Sequence, residues 1–249
     1  DDVVVNVITE QRTLIGELSA STYHYFTELT YQPEWNRPDF SDLHWLPGGQ
    51  GLGYDLTDGF STYIDTNIQS SMQHRHSSLY VRYPFILENA RSLHRLELIL
   101  RADDGCAVYL NGQEVHRQDV PLYDLGPTAT ALRTADETLL LRPKPIDLTE
   151  FRSRLHPGYN VLAIHGLNQS ITSSDFLVQP TLTATMGRTE RLPDELNAQG
   201  LLAYALGDDA PTIELLEDEM LVHYVRIADF EVTGGRIDIE ISADLAIWK

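Results

Sequence analysis

The chain has 249 residues, enough to bury a core as one large β-rich domain or as a medium domain with a small companion. Its 18 Lys and Arg stand against 37 Asp and Glu, a formal net charge of −19 that repels phosphate backbones and anionic membrane faces and argues against nucleic acid and lipid as partners. A single cysteine, Cys106, excludes an internal disulfide, a cysteine-rich zinc site and a thioredoxin-type pair.

The N-terminal segment Asp1 to Glu10 carries the apolar run Val3, Val4, Val5, Val7 and Ile8 around Asn6. It reads either as the first strand of the chain's own sheet or as a mobile strand that pairs with the open edge of a neighbouring copy. Asp1-Asp2 lacks the basic start and apolar core of an export signal, so a secreted protein would have had its signal removed. No run of about 18 apolar residues exists to insert into a bilayer. Aromatic residues are then dense: Tyr23, Tyr25, Phe26, Tyr31, Trp35, Phe40, Trp45, Tyr54, Phe60 and Tyr63. Most belong in a core.

Runs rich in β-formers and bounded by turn residues predict strands at 79–87, 95–101, 106–110, 159–167 and 176–184. Leu96, Leu98 and Leu100 alternate onto one face, and Asp103-Asp104-Gly105 supplies a turn just before the next strand, so the chain reverses twice in this stretch. CAVYL and QEVHR flank Asn111-Gly112, the dipeptide that tolerates the positive φ values of a type I′ hairpin. A short helix is predicted at Glu150 to Leu155, started by Asp147 or Thr149 and stopped by Pro157-Gly158. The polar stretch 186–193 divides a domain of residues 1–185 from a unit of residues 186–249. That unit is expected to hold a helix over 194–206 and strands over 220–227 and 236–242, and to lean on the first domain, a further strand or another chain, being marginal alone. Spacing of this kind predicts an all-β sandwich or jelly roll.

Several motifs in one order sharpen that class. WNRPDFSDLHW from Trp35 to Trp45, GQGLGY at 49–54, S-x-Y-x-R-x-x-F from Ser78 to Phe85, DDG at 103–105, YLNGQEVHR at 109–117, and NVLAIHGLN with SSDF over 160–176 resemble a galactose-binding-like β-sandwich module of large secreted and surface proteins of environmental bacteria. LLAYALG at 201–207, VHYVR at 222–226 and IEISADLAIW at 239–248 are similar to a small β domain near the C-terminus of such proteins. The resemblance implies a jelly roll with a non-catalytic role in binding or display, often glycan-directed and sometimes with a structural calcium ion.

The residues offer candidates of their own. Asp103 and Asp104, with Asn111, are hard oxygen donors near tight turns, suited to calcium or simply to bonding their own turns. Tyr54 and Tyr63 flank the polar loop 55–62 and are candidate flat platforms for a sugar ring. Ser173, Ser174 and Asp175 form an oxygen-rich loop beside the strand of His165 and Asn168, which caps a ligand or closes a loop. His165 without a G-x-S-x-G elbow reads as structural rather than catalytic. His74 and His76, an i, i+2 pair, suit a zinc or copper ion only with a third ligand, so a solvated loop is the better reading. The function expected is therefore a non-enzymatic extracellular or cell-surface module that engages a glycan or matrix component, with ligand contacts at Tyr54, Tyr63, His165, Asn168 and Asp175. The alternative is a structural subunit that polymerises with copies of itself by strand exchange through Val3, Val4, Val5, Val7 and Ile8.

Overall fold

Twelve strands are laid down in chain order: β1 (Ile8–Ile15), β2 (Ser21–His24), β3 (Leu46–Gly48), β4 (Leu52–Asp55), β5 (Thr66–Asn67), β6 (Ser78–Leu87), β7 (Leu93–Asp103), β8 (Gly105–Leu110), β9 (Gln113–Gln118), β10 (Ile146–Asp147), β11 (Gly158–Leu167) and β12 (Asp175–Arg188). The structure is a computed structural model and describes residues 8–188 apart from 124. The helix expected over 194–206, the strands expected over 220–227 and 236–242, and Val3, Val4, Val5 and Val7 lie outside the described residues.

The strands form two six-stranded sheets, an all-β sandwich. One sheet runs β10-β7-β12-β4-β5, with β1 also paired to β12; the other runs β3-β2-β6-β11-β8-β9. Ile8 therefore opens a strand that pairs within its own chain. The pairings other than that of β1 are antiparallel, except β4 with β5, which is parallel. Alternation sends Leu52, Tyr54, Leu96, Leu98, Leu100, Phe176 and Val178 of the first sheet inward to meet Leu79, Val81, Tyr83, Cys106, Val108, Leu162 and Ile164 of the second. Each such large side chain taken wholly out of water contributes about 1.5–3 kcal/mol. Cys106 is fully buried, and burial together with the charge of Asp119 pushes its thiol up to about 12.

Asn111 and Gly112 have φ of 49° and 87° and join β8 to β9 as the predicted hairpin. Asp103-Asp104-Gly105 carries the chain from one sheet to the other, since β7 pairs with β10 and β12 while β8 pairs with β11 and β9. The sequence marks a change of direction there but not the sheet that receives the next strand. The predicted helix is a 3-10 turn at Thr149–Arg154, with Asp147 Oδ1 accepting from the Thr149 N–H at 2.9 Å. The GQGLGY motif has a steric cause: a Cβ on Gly51 would lie 1.9 Å from the Tyr63 carbonyl oxygen, and one on Gly53 2.1 Å from that of Phe176.

The outer face of the second sheet is covered by the chain's own segment 26–45. Phe26 and Trp35 pack on Tyr80, Val161 and Ala163, with Phe40, Trp45 and Tyr109 around them. Arg82, fully buried on β6, clasps this cover. Its Nε donates to Asp42 Oδ2 at 2.9 Å, Nη1 to the Trp35 carbonyl and to that of Arg37 at 2.9 Å, and Nη2 to that of Phe40 at 3.3 Å. Ser78 Oγ donates to the Pro127 carbonyl at 2.8 Å, and Phe85 enters the core. The S-x-Y-x-R-x-x-F run is thus a set of packing and clasping residues.

Candidate binding site

At one end of the sandwich β4 stops, β12 starts, and β7 crosses to β8. The segment after β5 is shaped here by an i, i+4 apolar pair. Ile68 and Met72, both buried, anchor a single helical turn, α1 (Gln69–Met72), onto the core, so Asn67, Gln69, Ser70 and Gln73 are left outside it. With His74 and Arg75 these line a depression of about 690 Å³.

The lining is held in place by hydrogen bonds. Asn67 Oδ1 accepts from the Gln69 N–H at 2.9 Å, and Gln69 Nε2 donates to Gln73 Oε1 at 2.9 Å. Gln73 Nε2 in turn donates to the Ser173 carbonyl at 3.0 Å. His74 takes a φ of 63°, with its N–H donated to the Ile171 carbonyl. Behind the turn, Tyr25 and Ser71 share a hydroxyl–hydroxyl bond of 2.9 Å, and the His76 ring stacks on Tyr25 at 4.5 Å. His74 and His76 are therefore separated, one on the rim and one against Tyr25. Burial, then the charge of Arg75, holds the His76 imidazole below its ordinary value.

The sequence-derived candidates fall around this end, though not as expected. Tyr54 is not an exposed platform. Its ring is fully buried, because β4 alternation places it beside Leu52 in the core, and its hydroxyl donates to the Ser173 carbonyl at 3.2 Å and accepts from Asn168 Nδ2 at 3.1 Å. Burial pushes that phenol up to about 12. Tyr63 has one face taken by the Arg101 guanidinium, 4.2 Å from the ring centroid, and packs against Phe60, Leu140 and Leu177. His165 is buried on the covered face, stacked on Tyr80 at 4.0 Å, and burial holds it down to about 3. Asn168 is likewise buried, and its N–H donates to the Ser77 carbonyl while its own carbonyl accepts from the Ala131 N–H, so neither side chain is exposed at the surface of this end. Asp175 is half-buried and accepts from Ser173 Oγ at 3.0 Å; burial raises its carboxyl above the ordinary range, with Asp104 and Asp55 adding repulsion. Asp55 stands directly across the β4–β12 pairing from it.

The calcium grouping does not fit. Asp104 spends Oδ1 on the Ala135 N–H and Oδ2 on the Gln169 N–H, both backbone groups of other loops, and Asp103 is buried. Asn111 lies at the far end of β8, bonded to Arg154, Asn160 and Val161. Among the described residues no group of three or more His, Cys, Asp or Glu is placed to hold a metal ion.

The depression itself escapes sequence reasoning, because residues 67–72 carry no chemical motif and His74 with its neighbours reads as a solvated loop. The available signal is the spacing of Ile68 and Met72, two apolar residues four apart in a polar run. Tyr54, Asn168 and Asp175 do meet at this end, but they frame the site from below: the Ser173 carbonyl accepts from both Tyr54 and Gln73, linking the buried tyrosine to the depression.

No family model matches the chain, and no curated protein matches it. Among solved structures it is similar to a β-glucuronidase of Bacteroides uniformis at 13% identity and a TM-score of 0.44, over 70% of this chain and 18% of that one. An exo-chitosanase of Amycolatopsis orientalis, in complex with PNP-β-D-glucosamine, is similar at 12% identity and a TM-score of 0.43, over 68% and 20%. A β-glucuronidase of an uncultured Clostridium is similar at 12% identity and a TM-score of 0.40, over 78% and 34%. The chain spans about a fifth to a third of the length of these proteins.

Proposed function

We propose that this sandwich is a non-catalytic module of the galactose-binding-like jelly-roll kind, acting outside the cell or on its surface, and that it holds a glycan in the depression beside α1. The observation that carries the reading is the amide set Asn67, Gln69 and Gln73. Each amide can offer a donor and an acceptor side by side, which suits the neighbouring hydroxyls of a sugar ring. The Gln69–Gln73–Ser173 chain of hydrogen bonds fixes two of them before a ligand arrives, reducing the ordering cost of binding.

The non-catalytic part of the reading is supported by the state of the reactive groups. His165 stays neutral and buried, the Cys106 thiol is held protonated in the core, and Asp104 has both oxygens committed to backbone donors. Glycan-array binding followed by titration calorimetry tests the proposal. The wild type is expected to bind a saccharide, and Gln69→Ala and Gln73→Ala to lose most of that affinity with melting temperatures unchanged within a few degrees. Silence across a broad array, or binding that ignores both substitutions, would overturn it.

A further inference from the structure

Taking the glycan reading as its basis, we infer that the depression selects a saccharide carrying an anionic group, a uronate, sialic acid or sulfate, with Arg75 as the residue that recognises it. The six lining residues are Asn67, Gln69, Ser70, Gln73, His74 and Arg75, and none is acidic. That runs against a chain in which Asp and Glu outnumber Lys and Arg by 37 to 18. Arg75 is exposed and makes no ion pair among the described residues, which it shares with Arg142, Arg152 and Arg154 among others, but of these it alone lines the depression.

A free guanidinium beside a row of neutral amides divides the recognition. The amides serve hydroxyls, and the planar fork of Arg75 serves a carboxylate or sulfate through two parallel charge-assisted bonds. The net charge of −19 opposes an anion at long range. At physiological ionic strength, however, the Debye length is about 8 Å, so charges across the molecule are screened while an anion in direct contact with Arg75 is well within that length.

The test uses the full chain on an array of neutral, uronate-bearing, sialylated and sulfated oligosaccharides, followed by titration of each hit against its carboxyl-reduced or desulfated counterpart. Hits confined to acidic glycans are expected, with affinity weakened about tenfold or more in Arg75→Gln and by removal of the anionic group. Arg75→Lys should restore part of it. Uronate, sialylated and sulfated arms distinguish the source of the anion. Neutral hits, or acidic hits indifferent to Arg75→Gln, would overturn this inference and leave the glycan reading standing. Silence from every arm would overturn both. Arg75 is exposed, so an unchanged melting temperature in Arg75→Gln certifies the fold.

Discussion

Arg82 carries a cation into a place with no water, and its neighbours supply what water would have. One carboxylate and three carbonyls accept from it, and its carbon Cζ lies 5.3 Å from the centre of the Phe40 ring. Arg82→Ala removes a partner from Asp42 and the donor from the carbonyls of Trp35, Arg37 and Phe40, so it is expected to cost about 3 kcal/mol in urea unfolding. Burial pushes the Asp42 carboxyl up, but hydrogen bonds from Thr22 and Arg82 and the Arg82 charge outweigh it and leave the group below its ordinary value. A depressed carboxyl contributes stability above its unfolded value and loses it as pH falls through the folded one, so Asp42→Asn should flatten part of the acid limb of a melting-temperature profile. Asp175 behaves in the opposite sense. Its folded value is raised, so keeping it ionised costs stability at neutral pH and protonation recovers it. Asp175→Asn is expected to melt higher than wild type at pH 7, with the gap closing as pH falls through the raised value. An equal gap at every pH would count against the repulsion from Asp55 and Asp104.

Among the elements, the glycine positions give the sharpest expectations. Gly112 sits at φ 87°, and a Cβ added there would lie only 3.0 Å from Arg37 Cγ, so Gly112→Ala should cost about 1–2 kcal/mol without moving the ligand affinity. Gly53→Ala would press on backbone rather than on a side-chain end, and is expected to cost more, about 3 kcal/mol, in the same unfolding measurement. Much of the architecture is legible in the sequence: β6, β7, β8, β11 and β12 announce themselves as runs of Val, Ile, Leu, Tyr and Phe, and the hairpin by Asn111-Gly112. The shorter β2, β3, β4 and β5 do not, because two to four residues, in β3 and β4 interrupted by Gly, Pro or Asp, carry no periodicity to read. Tyr54 is misread for a related reason. Next to a polar loop an aromatic residue fits either surface, and only the alternation Leu52, Tyr54 within a strand of four residues points it inward. The site residues 67–75 form one contiguous run but depend on an anchor, Ile68 with Met72, whose depth no local pattern reveals.

For the whole molecule, net charge and topology set the behaviour. A charge of −19 repels itself in the compact state, so raising salt from about 0.01 M to about 0.15 M, which shortens the Debye length from about 30 Å to about 8 Å, should raise the melting temperature. A flat response would mean that local pairing already offsets the excess. The placement of Cys106 has a practical consequence. As the chain's one thiol, fully enclosed between the sheets and held protonated, it gives the molecule a built-in chemical clock. An aromatic disulfide reagent should leave the native protein unmodified except through complete opening of the sandwich, so the labelling rate should climb with urea along the same slope as global unfolding. Fast labelling independent of urea would instead report a local breach at β8. Any ligand that binds the sandwich should slow the clock as its occupancy rises, turning one sulfur atom into a readout of binding that needs no label on the ligand.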